Sequence, residues 1–273
     1  MTLLIGADPE LFLKKNNMHV SAHGLIEGDK RHPQKVKDGA VQVDGMALEI
    51  NVDPVDNAEK FQHNVNSVLE QLKSMIPDDL EFDIVPSVEF DKNYYNSQPD
   101  KSKELGCDPD FDAYTMQPNP TPEASNLRAA GGHVHIGWTE DEHPNDPWHM
   151  ENCAQLAKQL DYYLGVPSVL LDKDKTRRKL YGLPGAFRAK SYGMEYRTLS
   201  NFWIKEPELI GWVFNSSCRA VKDLQQGGEL VNGYDQLARN TIKGNSTKTA
   251  KSLIREIPQL DLARELLITR DIF

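Results

Sequence analysis

The chain has 273 residues, is 39% hydrophobic and 26% charged, and has a formal net charge of −10 from 31 Lys+Arg against 41 Asp+Glu. That apolar content can build a sizeable core in one large domain or two small ones. The acid excess excludes general binding to DNA or RNA, where a basic surface supplies most of the affinity, but leaves room for a local basic pocket.

In chain order, Met1-Thr2-Leu3-Leu4-Ile5 lacks a basic segment and reaches acid within a few residues, so it is not read as a signal peptide. No apolar run approaches the roughly 20 residues that span a bilayer, and a cytoplasmic location is expected. A strand is expected from Leu3 to about Leu13, then a polar loop with Gly24, Gly28, Lys30 and Pro33. Val41-Gln42-Val43 and Ala47–Val52 flank Asp44-Gly45, a hairpin signal. Its second strand should turn Leu48, Ile50 and Val52 to the core and Ala47, Glu49 and Asn51 the other way. Asp56, with Glu59 in capping-box spacing, is expected to cap a helix holding Phe61, Val65, Val68, Leu69, Leu72 and Ile76, which Pro77 ends. Residues 82–90 read as a strand and 91–127 as a long ordered loop. The segment around His133 reads as a strand, and Pro147 to Leu164 as an amphipathic helix closed by Gly165. A basic stretch from Lys173 to Lys190 precedes a strand around Glu195. Pro207 to Leu224 reads as a helix with Leu209, Ile210, Val213, Phe214, Ala220 and Val221 inward, followed by a helical tail from Tyr234 and a last helix near Asp261. Cys107, Cys153 and Cys218 are odd in number and form no CxxC pair, so neither a zinc ribbon nor a disulfide framework is expected. Strands and helices mix without a βαβ alternation. The expected fold class is therefore α+β with a largely antiparallel sheet and flanking helices.

Four distant segments carry chemistry at strand spacing: Gly6-Ala7-Asp8-Pro9-Glu10, Asp44–Glu49, Gly131-Gly132-His133-Val134-His135 and Gly193-Met194-Glu195-Tyr196-Arg197. Residues two apart share a face of a strand, so Asp8 pairs with Glu10, His133 with His135 and Glu195 with Arg197. Asp8, Glu10 and Glu49 offer the hard oxygens that magnesium prefers; the plainer alternative is a solvated strand face. The glycine-flanked HxH suits zinc, completes a magnesium or manganese site beside carboxylates, or bonds a phosphate. In the stretch Arg177, Arg178, Lys179, Arg188 and Lys190, interleaved glycines and aromatics allow a backbone to close around an anion that arginine grips bidentately; a solvated basic face is the alternative. Arg197 is either a salt bridge to Glu195 or a clamp on a transition state. Together the groups suit phosphoryl transfer, although no Walker A, GxGxxG or kinase signature is present.

Six segments, GADPELFL, DGMALEIN, LGCDPDFDAY, LRAAGGHVHIG, RRKLYGLPGAFRAKSYG and EYRTLSNFW, occur in an order that resembles the phage-type amidoligases, carboxylate–amine ligases with a fold like the glutamine synthetase catalytic domain. The resemblance implies one domain over residues 1–273, with the motifs in about 5–203 and a C-terminal helical extension over 206–273. It implies metal ligation by Asp8, Glu10, Glu49, His133 and Glu195, and contacts to ATP from Arg178, Arg188, Lys190, Arg197 and His135. Arg197, Arg188 and Glu49 would act catalytically. ATP with magnesium, or manganese in its place, would activate a substrate carboxylate as an acyl phosphate for attack by an amine. The acid and amine are small molecules or peptides, and the loop with Cys107, Asp108 and Asp110 is expected to bind one of them. Homo-oligomerisation is left open, and a phage-encoded chain would act in the host cytoplasm. Two rivals stand beside this reading: a zinc-dependent amidohydrolase, which needs no set of phosphate-binding arginines, and a non-catalytic phage structural or binding protein on the same fold.

Overall fold

The structure, a computed structural model, describes residues 2–104, 110–120 and 125–273. Strands β1 (Leu4–Lys15), β2 (Met18–Val20), β3 (Gln34–Val36), β4 (Gly39–Asp44) and β5 (Ala47–Val55) lead into helix α1 (Ala58–Met75). Short elements follow: β6 (Glu81–Asp83), β7 (Ser87–Glu89), α2 (Lys92–Ser97), α3 (Asp100–Lys103), β8 (Phe111–Asp112), β9 (Gln117–Pro118) and β10 (Leu127–Ala129), then β11 (Gly132–Gly137). Next come α4 (Pro147–Leu160), α5 (Val166–Leu171), α6 (Arg177–Leu180) and the hairpin of β12 (Ala186–Lys190) with β13 (Gly193–Tyr196). The chain closes with α7 (Pro207–Gln225), α8 (Val231–Lys243), α9 (Thr247–Glu256) and α10 (Asp261–Thr269).

Among the described residues, eleven strands form one sheet in the order β3-β4-β5-β1-β11-β13-β12-β8-β9, with β2 and β6 pairing the end of β1; β7 and β10 pair separately. The named pairs are antiparallel, so the α+β expectation holds. A period of two decides which side chains face which way. Ile5, Ala7 and Leu11 of β1, Leu48 and Ile50 of β5, Val134 and Ile136 of β11, Phe187 of β12 and Met194 and Tyr196 of β13 all join one core cluster. Helices cover this face: Phe61, Val65, Val68 and Leu72 of α1, Leu160 of α4 and Val213 of α7 pack there, as do Ile242, Leu253 and Leu267 of the last three helices. The opposite face therefore carries Asp8, Glu10, Glu49, His133, His135, Arg188, Lys190 and Glu195. No helix among the described residues is long and apolar enough to cross a membrane.

Several local expectations are corrected. Asn57, not Asp56, caps α1: its side chain accepts from the amides of Glu59 and Lys60 at 2.9 and 3.1 Å. Asp56 instead pairs with Lys60 at 3.4 Å. The hairpin turn is Gly45-Met46, since Asp44 pairs with Ala47 and Gly45 takes a φ of 60°. The strand over 82–90 breaks before Ser87, because Pro86 has no N–H for a ladder; β6 pairs β1 while β7 pairs β10. The described part of 91–127 is not structureless but holds α2, α3, β8 and β9. Gly165 does not close a helix. The chain runs through a π-turn, Asp161–Gly165, into α5. A Cβ at Gly165 would lie 2.6 Å from Ile242 Cδ1, so the glycine serves close packing. Cys153 and Cys218 are free, as expected of a chain without a disulfide framework.

The cap assignment is directly testable. Replacing Asn57 with Ala should cost about 1 kcal/mol in urea denaturation, whereas Asp56→Ala removes only an exposed ion pair and should cost under about 0.5 kcal/mol. The reverse ranking would restore Asp56 as the cap.

Candidate active site

Strand register assembles the polar face. Asp8 lies opposite His133, Glu10 opposite Glu49, His135 opposite Glu195, and Arg188 opposite Glu195 on the other side. Above them opens a cleft of about 880 Å³, including solvent at its mouth, lined on its floor by Asp8, Glu10, Glu49, His133, Arg188 and Arg197. Its walls come from the β4–β5 hairpin tip, Arg128 and Ala129 of β10, Gly131, Asp110, and Arg177, Tyr181 and Gly182 of α6 and the turn after it. Gly131 is required by close approach: a Cβ there would lie 2.2 Å from His133 Nε2. Its amide donates to Glu10 Oε2 at 2.7 Å, which aims that carboxylate.

One half of the floor satisfies its own charges. Glu195 is fully buried, and Arg188 and Lys190 reach its Oε2 at 3.2 and 3.0 Å while Arg197 pairs with Oε1. His133 Nδ1 is 3.4 Å from the same carboxylate. Burial opposes ionisation of Glu195, but Arg197 and the two histidines outweigh it and hold the group well below the usual carboxylate range. Arg197 is correspondingly raised despite its burial, by Glu195 and then Asp8 and Asp110; its Nε donates to Asp110 at 3.2 Å. Asp8, 3.2 Å from His133 Nδ1 and 3.1 Å from His135 Nε2, is likewise lowered against its burial by the two imidazoles. Burial and Arg197 lower His133, whereas for His135 the attraction of Asp8 overcomes burial and raises it.

The other half is less well balanced: Lys30 Nζ reaches Asp44 Oδ2 at 3.5 Å, but no described ion pair reaches Glu10 or Glu49. One ligand oxygen from each of Glu10, Asp44 and Glu49 lies within 4.8 Å of the others. Burial, then Asp44, raises Glu10 to about 7. Burial, then Asp8 and Asp44, raises Glu49 well above its ordinary value. Three hard oxygen donors in one cluster, two of them glutamates that resist ionisation there, fit a magnesium or manganese ion. Asp8, His135 and Glu195 form a second group of the same span, with one imidazole nitrogen.

The cleft thus brings together Asp8, Glu10, Glu49, His133, Arg188 and Arg197. Glu195, His135 and Lys190 stand behind that lining, joined to it by the ion pairs above. Arg178 is placed elsewhere: its guanidinium donates to the carbonyls of Ser168, Asp172 and Asp174 and to Asn245 Oδ1, and it pairs with Asp172 at 3.5 Å. That is a structural tie between α5, α6 and the segment before α9, and the expected ligand contact from Arg178 is withdrawn. Its neighbour Arg177 lines the cleft instead. Arg177 belonged to the basic stretch read from the sequence as gripping an anion, although it was not among the residues assigned to ATP; Asp44 and Arg128 were not singled out as ligands. Asp44 carried a signal, as the acid that ends β4 beside Gly45. Cys107 and Asp108 fall outside the described residues; Asp110 of that loop lines the cleft.

Comparison with known proteins agrees with the resemblance read from the sequence. Residues 126–226 match the family described as phage phiEco32-like COOH.NH2 ligase-type 2. No curated protein sequence matches the chain. Among solved structures, a bifunctional glutathione synthetase from Pasteurella multocida is similar at 12% identity and a TM-score of 0.46, over 98% of this chain and 52% of that one. A novel glutamine synthase homolog is similar at 12% identity and a TM-score of 0.40, over 100% and 71% of the two chains. A GmaS/ADP complex is similar at 11% identity and a TM-score of 0.43, over 97% and 71%. The chain therefore spans about half the length of the glutathione synthetase it resembles.

The acid group predicts a pH signature. Glu10 and Glu49 hold protons more tightly folded than unfolded, so their contribution to stability is present below the ordinary value of 4.5; that of Glu10 is lost as pH rises through about 7, and that of Glu49 is lost in the same direction. Melting curves should show the cation-free protein losing stability from this pair between pH 5 and 8, and manganese should raise the melting temperature more at pH 8 than at pH 6. Glu49→Gln should flatten both effects. A manganese shift that ignores pH, or survives unchanged in that variant, would remove the cation from this group.

Proposed function

We propose that the protein is a carboxylate–amine ligase that uses ATP and divalent cations to join an acid to an amine. One observation carries the reading: a group of three carboxylates, Glu10 with Asp44 and Glu49, met by a single ammonium from Lys30, shares one cleft with the guanidiniums of Arg188 and Arg197. A cation-bound polyanion complements both halves at once. The family match over 126–226 supports the same reaction class. We read the whole chain as one domain, since residues from β1 through α10 share one core cluster. A cytoplasmic location, with ready ATP and magnesium, belongs to this reading.

Glu10, Asp44 and Glu49 would hold one cation, and Asp8, His135 and Glu195 a second. With magnesium, ATP would supply the phosphoryl group that activates the substrate acid as an acyl phosphate, from which the amine displaces phosphate. The chain's own contribution is orientation and charge. Arg197 is held from two sides, by Glu195 and Asp110, so its guanidinium is preorganised rather than free to follow solvent. Arg188 is fixed by the same glutamate. His133, kept towards its neutral form, can share a hydrogen bond without adding charge.

Glu10→Gln and Arg197→Ala should each lower ATP-dependent phosphate release about 10²–10³-fold while circular dichroism stays as in the wild type. The release itself is sought with a panel of acids and amines, with condensation products identified by mass spectrometry. Tightly bound zinc with hydrolysis independent of ATP would replace this reading by the amidohydrolase. Unaltered turnover in both variants would move the site elsewhere.

A further inference from the structure

Two arginines in the cleft wall differ from the others in having no carboxylate partner. Arg188 and Arg197 pair with Glu195, and Arg178 pairs with Asp172. Arg128 and Arg177 are 6% and 2% exposed, yet neither forms an ion pair with any described carboxylate. The Nε–H of each is buried without a hydrogen-bond partner. An isolated buried charge is costly and is ordinarily paired. For Arg177 the cost is visible: burial, outweighing the more distant Glu10 and Asp172, lowers it to about 10.

Both side chains are nevertheless rigidly held. Arg128 donates from Nη1 to the carbonyls of Ser125 and, at 3.1 Å, Leu127, and from Nη2 to Lys103 O at 2.9 Å and Tyr95 OH at 3.1 Å. Its guanidinium also lies 5.0 Å from the Tyr95 ring centroid, and Lys103 Nζ lies 5.8 Å from the same ring. Arg177 donates to Thr198 O at 2.9 Å and Arg197 O at 3.2 Å. Gly182 makes room for it: that residue has a φ of 65°, and a Cβ there would lie 2.0 Å from Arg177 Nη1. Uncharged acceptors thus fix two guanidiniums on the wall of one cleft and leave their net charge uncompensated.

We infer that Arg128 and Arg177 form an oxyanion subsite on the cleft wall, separate from the cation-holding floor, that takes a carboxylate or phosphate group of a bound substrate. Arg128 comes from β10 and Arg177 from α6, neither of which is a strand of the large sheet. The inference deepens the ligase reading and rests on it only in treating the cleft as a substrate site. A ligand that spans floor and wall would present anionic groups at both, one through a cation and one directly to guanidinium.

The test is calorimetric titration of the full chain at pH 7.5 and constant ionic strength with inorganic phosphate, glutarate and Mg·ADP. The wild type should bind at least one of them saturably. Arg128→Met and Arg177→Met should weaken that same anion about 10-fold or more, the worth of one charged hydrogen bond. Arg128→Lys, which keeps the charge, should weaken it less, and serves if the methionine variants do not fold. Weakening of phosphate and Mg·ADP assigns the subsite to a phosphate; weakening of glutarate alone assigns it to the acid substrate. Equal affinity in wild type and variants, or variants that only lose melting temperature, would overturn the inference, as would a wild type that binds none of the three. Manganese binding, followed by electron paramagnetic resonance, should persist in Arg128→Met. If manganese fails to bind the wild type while anion affinity still tracks the arginines, the ligase reading falls and the subsite stands.

Discussion

A carboxylate cut off from water, Glu195, governs the arrangement of the polar sheet face. A buried charge persists only where opposite charge and hydrogen bonds replace its hydration. Glu195 lies on β13, between β11 and β12, and both neighbours answer it: His133 from one side, Arg188 and Lys190 from the other, with Arg197 two residues along its own chain. The pairing is therefore a consequence of register, since a one-residue slip of β12 or β13 would send these groups to the helix-covered face. It also freezes Arg197, which Asp110 holds from the far side. The arginine-bearing part of the cleft is held in place because its counter-charge, Glu195, lies beneath it.

Two strands away the same register produces the opposite condition. Glu10 faces Glu49 across β1 and β5, and Asp44 joins them from the end of β4. Like charges opposite each other in a sheet are destabilising, and among the described residues the one ion pair to this group is Lys30 with Asp44 at 3.5 Å, which leaves Glu10 and Glu49 without a direct partner charge. The protein's recourse is to keep protons, as the raised values of Glu10 and Glu49 indicate. A divalent cation would relieve that strain directly. One sheet thus offers a half already neutralised, which can orient a ligand, and a half awaiting positive charge, which can recruit one.

Much of the floor was legible in the sequence because strands have a period of two and the chemistry follows that period. Asp8 with Glu10, His133 with His135, and Glu195 with Arg197 could be assigned to shared faces from spacing alone, and the apolar alternation of Leu48, Ile50 and Val52 pointed the opposite face to the core. Errors arose where a choice between adjacent residues depends on backbone angles or three-dimensional neighbours. Asp56 and Asn57 are both good caps, and only the extended backbone of Asn57 points its side chain at the free amides. Arg177 and Arg178 are identical in composition terms. The short helix α6 turns one towards the cleft and the other towards α5, a difference that no pattern over four residues could predict. Gly165 reads as a helix stop until Ile242, 77 positions later in the chain, is seen to press against it.

The residues whose part in the site the sequence specified least share a location, and that location matters for specificity. Asp110, Arg128, Arg177 and the Gly45–Met46 turn all belong to the walls, which are assembled from short elements and turns rather than from the sheet. The floor supplies chemistry that any cation-bound polyanion could use, and its geometry is tied to strand spacing. The walls are free of that constraint, and segments of this kind vary without disturbing the core. A side chain there can change which acid or amine fits while Glu10, Glu49 and Arg197 keep their positions. The buried guanidiniums of Arg128 and Arg177 make the point physically: neither has a carboxylate within ion-pair distance among the described residues, Glu10 and Asp172 offset the burial of Arg177 only in part, and an anion bound in the cleft would offset more of it.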